Sequence, residues 1–324
     1  MSIIKIIYRI LSVLLVGAAI CVMAYKGWIK DDFAMYKMHA IPALMYHSIS
    51  QVPAGWPPDL CVPPDVFESH LRYLKEKGYN VVTTRQAMIL LKSRQNVMNT
   101  VILTFDDGYE DNYTRAFPLL QKYGFYGNFY VIVKDIGVTL NQNGIIKYMN
   151  VAQLKEMHQK GMEIGSHTMS HDPLAQIKPH YLPWEIYQPL NVFYDKMGFW
   201  ISGIAFPNGS YNEAVLQEVR KYVKYEYGFS GVPGCNTLDT LLHKPFALRR
   251  AGVYDRGRGI EDIEKALRKC YVFGYLEEKG MPAELLDRGL TFIQELFATD
   301  CMYHVKMIKG LAYWRKTGYN KISQ

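Results

Sequence analysis

Strand-like and helix-like segments alternate along most of this chain, and that alternation restricts its fold more than any other feature. Repeated strand-then-helix units at this spacing predict parallel strands covered by helices, either as an α/β barrel or as a doubly wound sheet. We therefore expect an α/β fold. The helix-like segments are 67–77, 113–123, 151–160, 184–197 and 213–222, and the main strand-like segments are 81–82, 101–105, 127–133, 162–166 and 201–206.

Two adjacent carboxylates follow one of these predicted strands. The run from Val101 to Phe105 is apolar and β-branched, as is typical of a buried strand, and Asp106, Asp107 and Gly108 come directly after it. In parallel α/β folds, reacting groups collect at the carboxyl ends of the strands. Because neighbouring side chains on a strand point to opposite sides, we expect the two aspartates to have different roles, one as a metal ligand and one as a base.

Two histidines four residues apart follow a later strand. His167 and His171 come after the run 162–166, and this spacing on a helical turn would place both imidazoles on one face. With one aspartate they supply three ligands for a metal that keeps an open position. Each motif alone has a simpler interpretation, as a capped turn or as a surface histidine pair. Their joint presence at strand ends favours metal-assisted hydrolysis.

Several segments resemble motifs of the polysaccharide deacetylases, the carbohydrate esterases with a NodB-type domain. Thr-Phe-Asp-Asp-Gly at 104–108 matches the first motif of that family, and His-Thr-Met-Ser-His at 167–171 matches the second. Segments 41–47, 205–212 and 246–250 are similar to parts of the deacetylases of poly-N-acetylglucosamine. The resemblance covers residues 40–255, which we interpret as the catalytic domain, and it implies an irregular (β/α)7 barrel.

The resemblance also implies a mechanism. In the family, a divalent metal and a general base activate water against an N-acetyl carbonyl. Carried over to this sequence, Asp106 is the base, and the metal ligands are Asp107, His167 and His171. The metal that the family usually binds is zinc, with Co²⁺, Ni²⁺ or Fe²⁺ as alternatives.

Further residues are candidates for contact with the substrate. Backbone N–H groups around Asn208 would help to hold the oxyanion. Tyr109 and Tyr211 adjoin the motifs and are candidates for sugar contact. Trp56 lies in a Pro-rich segment, 48–65, after the first predicted strand. That segment either carries a ring that stacks on a sugar or forms a rigid loop over the core.

The sequence departs from the family pattern at the groups that handle protons. Many relatives have an arginine where this chain has Ala205, and a late Leu-x-His that supplies an acid and that is not evident here. We predict that Arg250 replaces the missing arginine beside Asp106. We predict His47, at the end of the first strand, as the acid, or else His243, in a stretch that we expect to be a loop. The simpler alternatives are an ordinary ion pair for the arginine and a hydrogen-bonded strand-end histidine.

Residues 1–30 predict an export segment. An uncharged apolar run from Ile10 to Tyr25 follows Lys5 and Arg9, and its flanks extend it toward the ~20 residues that span a bilayer. We predict an uncleaved anchor with the enzyme on the periplasmic or extracellular side, in preference to a cleaved signal peptide. The formal charge of +7 is concentrated at the two ends of the chain. That pattern suits a membrane or a polyanionic envelope, and we expect no nucleic acid partner.

Residues 256–324 predict a helical C-terminal extension, in which Ile260, Ile263 and Leu267 share one apolar face. The cysteines after the apolar N-terminal run either form disulfides or are buried free thiols, and the sequence does not decide between these states. These four cysteines are Cys61, Cys235, Cys270 and Cys301.

The motifs predict a membrane-anchored, metal-dependent N-deacetylase that acts on an acetylated amino-sugar polymer or glycolipid of the N-acetylglucosamine type, in the cell envelope or outside the cell. Two alternatives stay open. One is a glycan-binding or assembly protein that keeps the fold and the metal site without turnover. The other is a deacylase of a lipid-linked sugar. A polysaccharide synthesis or export machinery is the expected partner.

Overall fold

The computed structural model describes residues 29–53, 56–141 and 145–280. Helix α1 covers residues 29–37 of the described chain. The strands that follow are β1 (Ile41–Tyr46), β2 (Asn80–Val82), β3 (Thr100–Phe105), β4 (Asn128–Val131), β5 (Thr139–Asn141), β6 (Ile145–Lys147), β7 (Glu163–Ser166), β8 (Gly203–Ala205), β9 (Tyr227–Phe229), β10 (Cys235–Asn236) and β11 (Ala251–Gly252). The helices are α2 (Pro64–Glu76), α3 (Thr84–Lys92), α4 (Phe117–Tyr123), α5 (Val151–Gln159), α6 (Leu182–Met197), α7 (Glu213–Arg220), α8 (Leu238–His243) and α9 (Ile260–Glu278).

Parallel strands form the centre of the molecule, in the order β1-β3-β4-β7-β8-β9. β11 pairs in parallel with the outer edge of β1, and an isolated bridge joins Leu248 to Phe229 in β9. The segment 248–252 therefore contacts both ends of the main sheet, which is curled. The α/β class with a parallel sheet, predicted from the alternation of segments, is confirmed.

Local sequence signals explain where many helices begin and end. α5 begins at a capping box in which Asn150 and Gln153 bond reciprocally, and α3 begins at the same motif formed by Thr83 and Gln86. The left-handed backbone of Gly198 ends α6. All six residues of β3 are buried, as its continuous apolar run predicts for a strand covered on both faces.

Two local predictions were wrong. Segment 167–171 is a loop rather than a helical turn. Its bends need the left-handed backbone that Thr168 and His171 adopt, each with φ +66°. The stretch that contains His243 is the helix α8, which begins at a capping box between Thr237 and Thr240. The helix predicted over 113–123 is present, and it starts as a π-helical turn, Asn112–Ala116, before continuing as α4.

Two tyrosines and a glutamate fill part of the interior of the curled sheet. The Tyr227 hydroxyl donates to Glu163 Oε1 at 2.7 Å and lies 3.2 Å from the Tyr130 hydroxyl. Glycine is needed beside both rings, because a Cβ at Gly203 would lie 2.3 Å from Tyr227 and one at Gly165 would lie 2.6 Å from Tyr130. Burial raises the pKa of Glu163. The sheet therefore encloses protein side chains, as a packed core does.

The termini of the chain are only partly described. α9 is the described part of the predicted C-terminal extension, and its inner face is buried. Cys61, Cys235 and Cys270 are free and buried, as one of the two alternatives predicted. The predicted anchor over residues 1–30 falls almost entirely outside the described residues, as do Cys301 and the rest of the extension. Among the helices that are described, none combines the length and the apolar character needed to cross a bilayer.

Candidate active site

Asp106 lies at the carboxyl end of β3 and forms a buried pair with Arg250. Its side chain is 3% exposed. Nη1 of Arg250 donates to Oδ1 of Asp106 at 2.6 Å, and Nη2 donates to Oδ2 at 2.7 Å. Both carboxylate oxygens therefore accept from one guanidinium in the bidentate geometry that fixes orientation most strongly.

The rest of the guanidinium is held as firmly. Nε of Arg250 donates to the carbonyl of Ser230 at 3.0 Å, and Nη1 also reaches Thr104 Oγ1 at 3.2 Å. The rings of Tyr130 and Phe229 lie 5.9 and 5.6 Å from the guanidinium carbon, within the range of cation–π attraction. Arg250 is thus a fixed positive charge behind the carboxylate, at the place where the sequence predicts it.

The Asp106 carboxyl is ionised at neutral pH. Burial alone raises its pKa, but the charge of Arg250 acts in the opposite direction, as does His167 at the low pH where that imidazole is protonated. The net result lowers the pKa of Asp106 to about 2. The backbone of His47 lies next to that of Asp106, because His47 follows Tyr46, whose carbonyl accepts from Asp106 N at 3.0 Å.

Asp107 points its carboxylate toward the two histidines. The residue has a left-handed backbone, with φ 72°, and Gly108 follows because a Cβ there would lie 2.8 Å from Val131 Cγ1. Oδ1 of Asp107 is buried and accepts no hydrogen bond from any described residue. It lies 3.5 Å from Nε2 of His167 and 3.4 Å from Nε2 of His171. A buried carboxylate oxygen without a donor is costly unless a cation binds it.

His167 presents an unprotonated nitrogen to this group. Its Nδ1 lies 2.8 Å from the carbonyl of Ala205, and a carbonyl can only accept, so Nδ1 carries the proton and donates. Nε2 then has a free lone pair, as in histidines that bind metals. Burial is the main cause that lowers the pKa of His167 to about 4, so the ring is neutral. Ala205 thus contributes its backbone carbonyl, although it lacks the side chain that relatives have there.

The three side chains fit a divalent metal. One ligand atom from each of Asp107, His167 and His171 lies within 4.8 Å of the others. Two ligands bound at 2.0–2.2 Å to a tetrahedral ion are separated by about 3.4 Å, which matches the oxygen–nitrogen distances here. An unpartnered buried oxygen and two imidazole nitrogens also form the donor set that Zn²⁺ and its neighbours prefer.

Helix α6 supports the loop that carries His171. Pro189 has no N–H, so the carbonyl of Glu185 lacks its usual helical donor and instead accepts from Met169 N at 3.2 Å. The Glu185 carboxylate accepts from Ser170 N at 3.0 Å and from Ser170 Oγ. Glu185 is buried, so these bonds attach the loop to the interior of the protein.

The chain that follows β4 supports both motif loops at once. Ile132 N donates to the carbonyl of Asp107 at 3.3 Å, and Val133 N donates to the carbonyl of Thr168 at 3.1 Å. Lys134 N donates to the carbonyl of Met169 at 3.0 Å. The separation between the aspartate loop and the histidine loop therefore depends on one intervening segment.

The two candidate acids lie in different surroundings. His47 follows β1 and is half-buried, and its carbonyl accepts from Asn112 Nδ2 at 2.8 Å. Asp111 anchors the next residues of the same loop, because its carboxylate accepts from Ser48 Oγ at 2.6 Å and from Ile49 N at 2.9 Å. His243 instead ends α8, exposed, with Nε2 3.5 Å from Asp239. The structure thus brings His47, and not His243, to the carboxylate pair.

The predicted sugar contacts are at the edge of the site. Tyr109 is 8% exposed and stacks on Tyr148 with ring centroids 5.4 Å apart. The ring of Trp56 lies 5.3 Å from that of Tyr109, so the Pro-rich loop reaches the aromatic group beside Asp107. Burial, and then the charge of Asp107, raises the pKa of Tyr109.

The third motif contributes backbone geometry. Asn208 has φ 54° and is followed by Gly209 with φ 63°. The N–H groups of Gly209 and Ser210 donate within this turn, to the carbonyls of Phe206 at 2.8 Å and Pro207 at 2.9 Å. Tyr211 packs against Phe206 with ring centroids 5.2 Å apart. Tyr211 also lines a cleft of about 310 Å³ that His243 borders, and none of the metal-binding group lines this cleft.

The positions of Glu185 and Asp111 were not predicted from the sequence. Asp111 lies five residues after Asp106 in a segment rich in acids, so its presence near the site had a signal. The sequence signal for Glu185 was weaker. It is Pro189, because a proline inside a helix leaves the carbonyl four residues earlier without its donor.

Comparisons with known proteins agree with this geometry. A family model described as polysaccharide deacetylase matches residues 93–227. The Bacillus subtilis protein YxkH, assigned to the polysaccharide deacetylases, is 34% identical over 229 residues, which are 70% of this chain and 75% of YxkH. The poly-β-1,6-N-acetyl-D-glucosamine N-deacetylase of Staphylococcus aureus is 28% identical over 173 residues, which are 51% of this chain and 59% of that enzyme. The solved structure of the Streptococcus pyogenes deacetylase PplD in complex with acetate aligns with a TM-score of 0.60 and 27% identity, over 70% of this chain and 97% of PplD.

Proposed function

Because this chain belongs to the polysaccharide deacetylase family of hydrolases, we propose that it removes N-acetyl groups from an N-acetylglucosamine-type polymer or glycolipid with the help of a divalent metal. One observation carries the proposal. The unpartnered Oδ1 of Asp107 lies 3.4–3.5 Å from two imidazole nitrogens, immediately beside the ionised Asp106. That is a complete ligand set next to a separate carboxylate.

The residues divide the chemistry between them. Asp107, His167 and His171 would hold the metal, which when bound lowers the pKa of a water and polarises the amide oxygen. Asp106 Oδ2 lies 3.9 Å from His167 Nε2, so the carboxylate faces the same space. In our proposal it accepts the proton that the attacking water loses. Arg250 holds both oxygens in place and keeps the carboxylate ionised.

Two further steps need donors. As the carbonyl carbon becomes tetrahedral, its oxygen gains negative charge, and the backbone N–H of Asn208, an exposed residue, would help to stabilise it. The carbon–nitrogen bond then breaks, and the leaving amine takes a proton. We assign that proton to His47, because it follows Tyr46, whose carbonyl accepts from Asp106 N at 3.0 Å, and because Asn112 fixes its backbone.

The Arg250–Asp106 pair weakens the alternative of a protein that binds glycans without turnover. That alternative arose from the absence of the arginine that relatives carry at the position of Ala205. A buried, bidentate arginine occupies the same role from a different part of the chain. A binding protein would have no use for an ionised carboxylate oriented beside the metal ligands.

The substrate class follows from the relatives. We infer an amino-sugar polymer because the chain is similar to the Staphylococcus aureus enzyme named for poly-β-1,6-N-acetyl-D-glucosamine. Tyr109 and Tyr211 border the site as candidate contacts for sugar rings. We take the curled sheet to be the irregular (β/α)7 barrel expected of such enzymes.

Acetate release tests this proposal. Purified protein, loaded with Zn²⁺, is incubated with N-acetylglucosamine oligomers of β-1,4 and β-1,6 linkage, and acetate and free amine are measured together. We expect equimolar release of both. If zinc-loaded protein releases neither from any acetylated glycan or glycolipid, the deacetylase proposal is wrong.

We also propose that residues 1–30 anchor the enzyme with its catalytic part on the periplasmic or extracellular side, where a polysaccharide synthesis or export machinery would deliver the substrate. The support is the apolar run 10–25 behind Lys5 and Arg9. Protease added to intact cells or spheroplasts should digest residues 35–280 of the membrane-bound protein. Protection of the whole chain until the membrane is lysed would contradict this location.

A further inference from the structure

An unusual group of aromatic side chains is exposed on one flank of the molecule. In the part of the chain that the structure describes, six tyrosines and tryptophans are exposed, and five of them lie between residues 181 and 200. Large exposed apolar patches on proteins commonly mark sites of interaction with a partner or ligand. The five are Tyr181, Trp184, Tyr187, Tyr194 and Trp200.

Three of these rings lie on one face of α6, and three of the five stack on a neighbouring ring. Trp184, Tyr187 and Tyr194 follow the i, i+3, i+10 spacing of one face of α6. The ring of Tyr187 stacks on Tyr222, with centroids 4.8 Å apart and planes at 20°. The ring of Tyr194 stacks on Trp200 at 4.5 Å and 18°. We call these five exposed residues and Tyr222 the aromatic track.

The track begins close in sequence to a residue that supports the candidate active site. Trp184 precedes Glu185, the residue that binds Ser170 in the loop of the metal-binding histidines. From there α6 extends for 16 residues, or about 24 Å at 1.5 Å per residue. At its far end the chain turns through Trp200 toward β8. The exposed rings therefore extend along the flank from the end of α6 at which Glu185 supports the histidine loop.

We propose that the aromatic track is a binding surface for the glycan polymer, several sugar units away from the unit that is deacetylated. This inference rests on the proposed function, because it assumes a polymeric amino-sugar substrate. The C–H faces of sugar rings pack on aromatic faces, while tyrosine hydroxyls and the indole N–H bond to sugar hydroxyls. A chain held at a second place also stays at a high effective concentration near the active site.

The chemistry of the track favours a glycan over a membrane. Its members are tyrosines and tryptophans, which carry polar atoms, and four of its six rings lie nearly flat against each other in two pairs. A helix that enters a membrane presents projecting apolar side chains within a basic surface. Here exposed groups of both signs flank the rings, namely Asp195, Lys196, Lys224 and Glu226. Lys224 Nζ itself lies over the Trp200 ring at 4.9 Å.

Paired kinetics on long and short substrates test the proposal. The double variant Trp184→Ala/Tyr194→Ala removes two exposed rings that contact no catalytic group. Tyr126→Ala, which removes an exposed ring between α4 and β4, is the matched control. For an N-acetylglucosamine polymer we expect the double variant to raise KM about tenfold. Its kcat, and its kcat/KM for a trimer of the same linkage, should stay within about twofold of wild type.

Binding without turnover separates this inference from the proposed function. Retention of zinc-loaded protein on the immobilised polymer should fall in the double variant and not in Tyr126→Ala. If retention depends on the track but the protein has no deacetylase activity, the proposed function is wrong and the glycan-binding surface is still supported. Equal KM for all three proteins on the polymer would overturn the track. So would equal losses on trimer and polymer, or a defect confined to binding of phosphatidylglycerol vesicles.

Discussion

Asp106 and Asp107 are neighbours in sequence and both are buried, but the fold gives their carboxylates opposite surroundings. Both oxygens of Asp106 accept from Arg250, so the protein itself neutralises this carboxylate. Oδ1 of Asp107 accepts from no described residue and faces two imidazole nitrogens instead. The charge of Asp107 is therefore left for a cation that is not part of the chain.

The difference shows how one strand end can supply two functions. A carboxylate that binds a metal cannot also serve as the free base, so the two must be kept apart. The left-handed backbone of Asp107, together with the glycine after it, turns the second side chain toward the histidines while the first stays with the arginine. The backbone conformation of a single residue, Asp107, therefore separates the two carboxylates.

Removing the metal tests the Asp107 side of this comparison and should have the largest effect. Dialysis against a chelator should reduce deacetylation by about a thousandfold or more, since the metal supplies several kcal/mol of transition-state stabilisation. Acetate release is the measurement. Excess Zn²⁺ should restore it, and chelator saturated beforehand with Zn²⁺ is the control. Full turnover in protein shown by elemental analysis to be free of metal would contradict the assignment of Asp107, His167 and His171.

Removing the proposed proton donor to the leaving amine, His47, tests the Asp106 side of the comparison. His47→Ala should lower kcat between about 10²- and 10⁴-fold, the usual contribution of a general acid. Metal content should be unchanged. His39→Ala, an exposed histidine whose Nε2 lies 3.8 Å from Glu278, is the matched control.

An O-acetyl ester sharpens the same experiment, because an alkoxide or alcohol leaving group depends less on an acid than an amine does. His47→Ala should retain much more activity on the ester than on the amide. Equal losses on both substrates would mean that His47 acts in binding or structure, and unimpaired amide turnover would remove it from the mechanism.

Replacing Arg250 tests how much its pairing with Asp106 contributes to the free energy of unfolding. Arg250→Met leaves Asp106 ionised, buried and unpaired, and breaking one partner of such a pair costs about 3–5 kcal/mol of the free energy of unfolding. The double variant Asp106→Asn/Arg250→Met should recover most of that loss. Denaturant unfolding at neutral pH measures both. Arg249→Met, at the neighbouring half-buried arginine that pairs with Glu277, should cost less, and an equal cost for both arginines would contradict the role given to the buried pair.

Acid gives a smaller effect with a definite sign. The folded-state pKa of Asp106 is lowered to about 2 from about 3.9 in an unfolded chain. Its ionised form therefore stabilises the fold above about pH 4, and this contribution, about 2 kcal/mol, is lost as the pH falls through 2. The difference in unfolding free energy between wild type and Asp106→Asn/Arg250→Met should change by that amount over this range. A difference that is independent of pH would contradict the pairing.

The parts of the site that short motifs encode were predictable. The buried run of β3 and the aspartates after it are local signals, and so is the pair of histidines after β7. Arg250 was placed beside Asp106 only through a resemblance, because no local pattern connects residues 144 positions apart.

The conformation of the connecting segments was not predictable in the same way. The loop 167–171 depends on left-handed backbone at Thr168 and His171, which packing imposes and residue type only permits. Its support by Glu185 is likewise a tertiary contact. The interior pair Tyr130 and Tyr227 requires two glycines on neighbouring strands, and strand propensity carries no information about such partners.

The most direct test compares Asp106→Asn with Asp107→Asn in two measurements on the same preparations, bound zinc per chain and acetate released from an N-acetylglucosamine oligomer. We predict that Asp106→Asn keeps one zinc and loses deacetylation, whereas Asp107→Asn loses both. If the two variants bind zinc equally, or if Asp106→Asn still releases acetate at the wild-type rate, the division of labour between the two carboxylates is wrong.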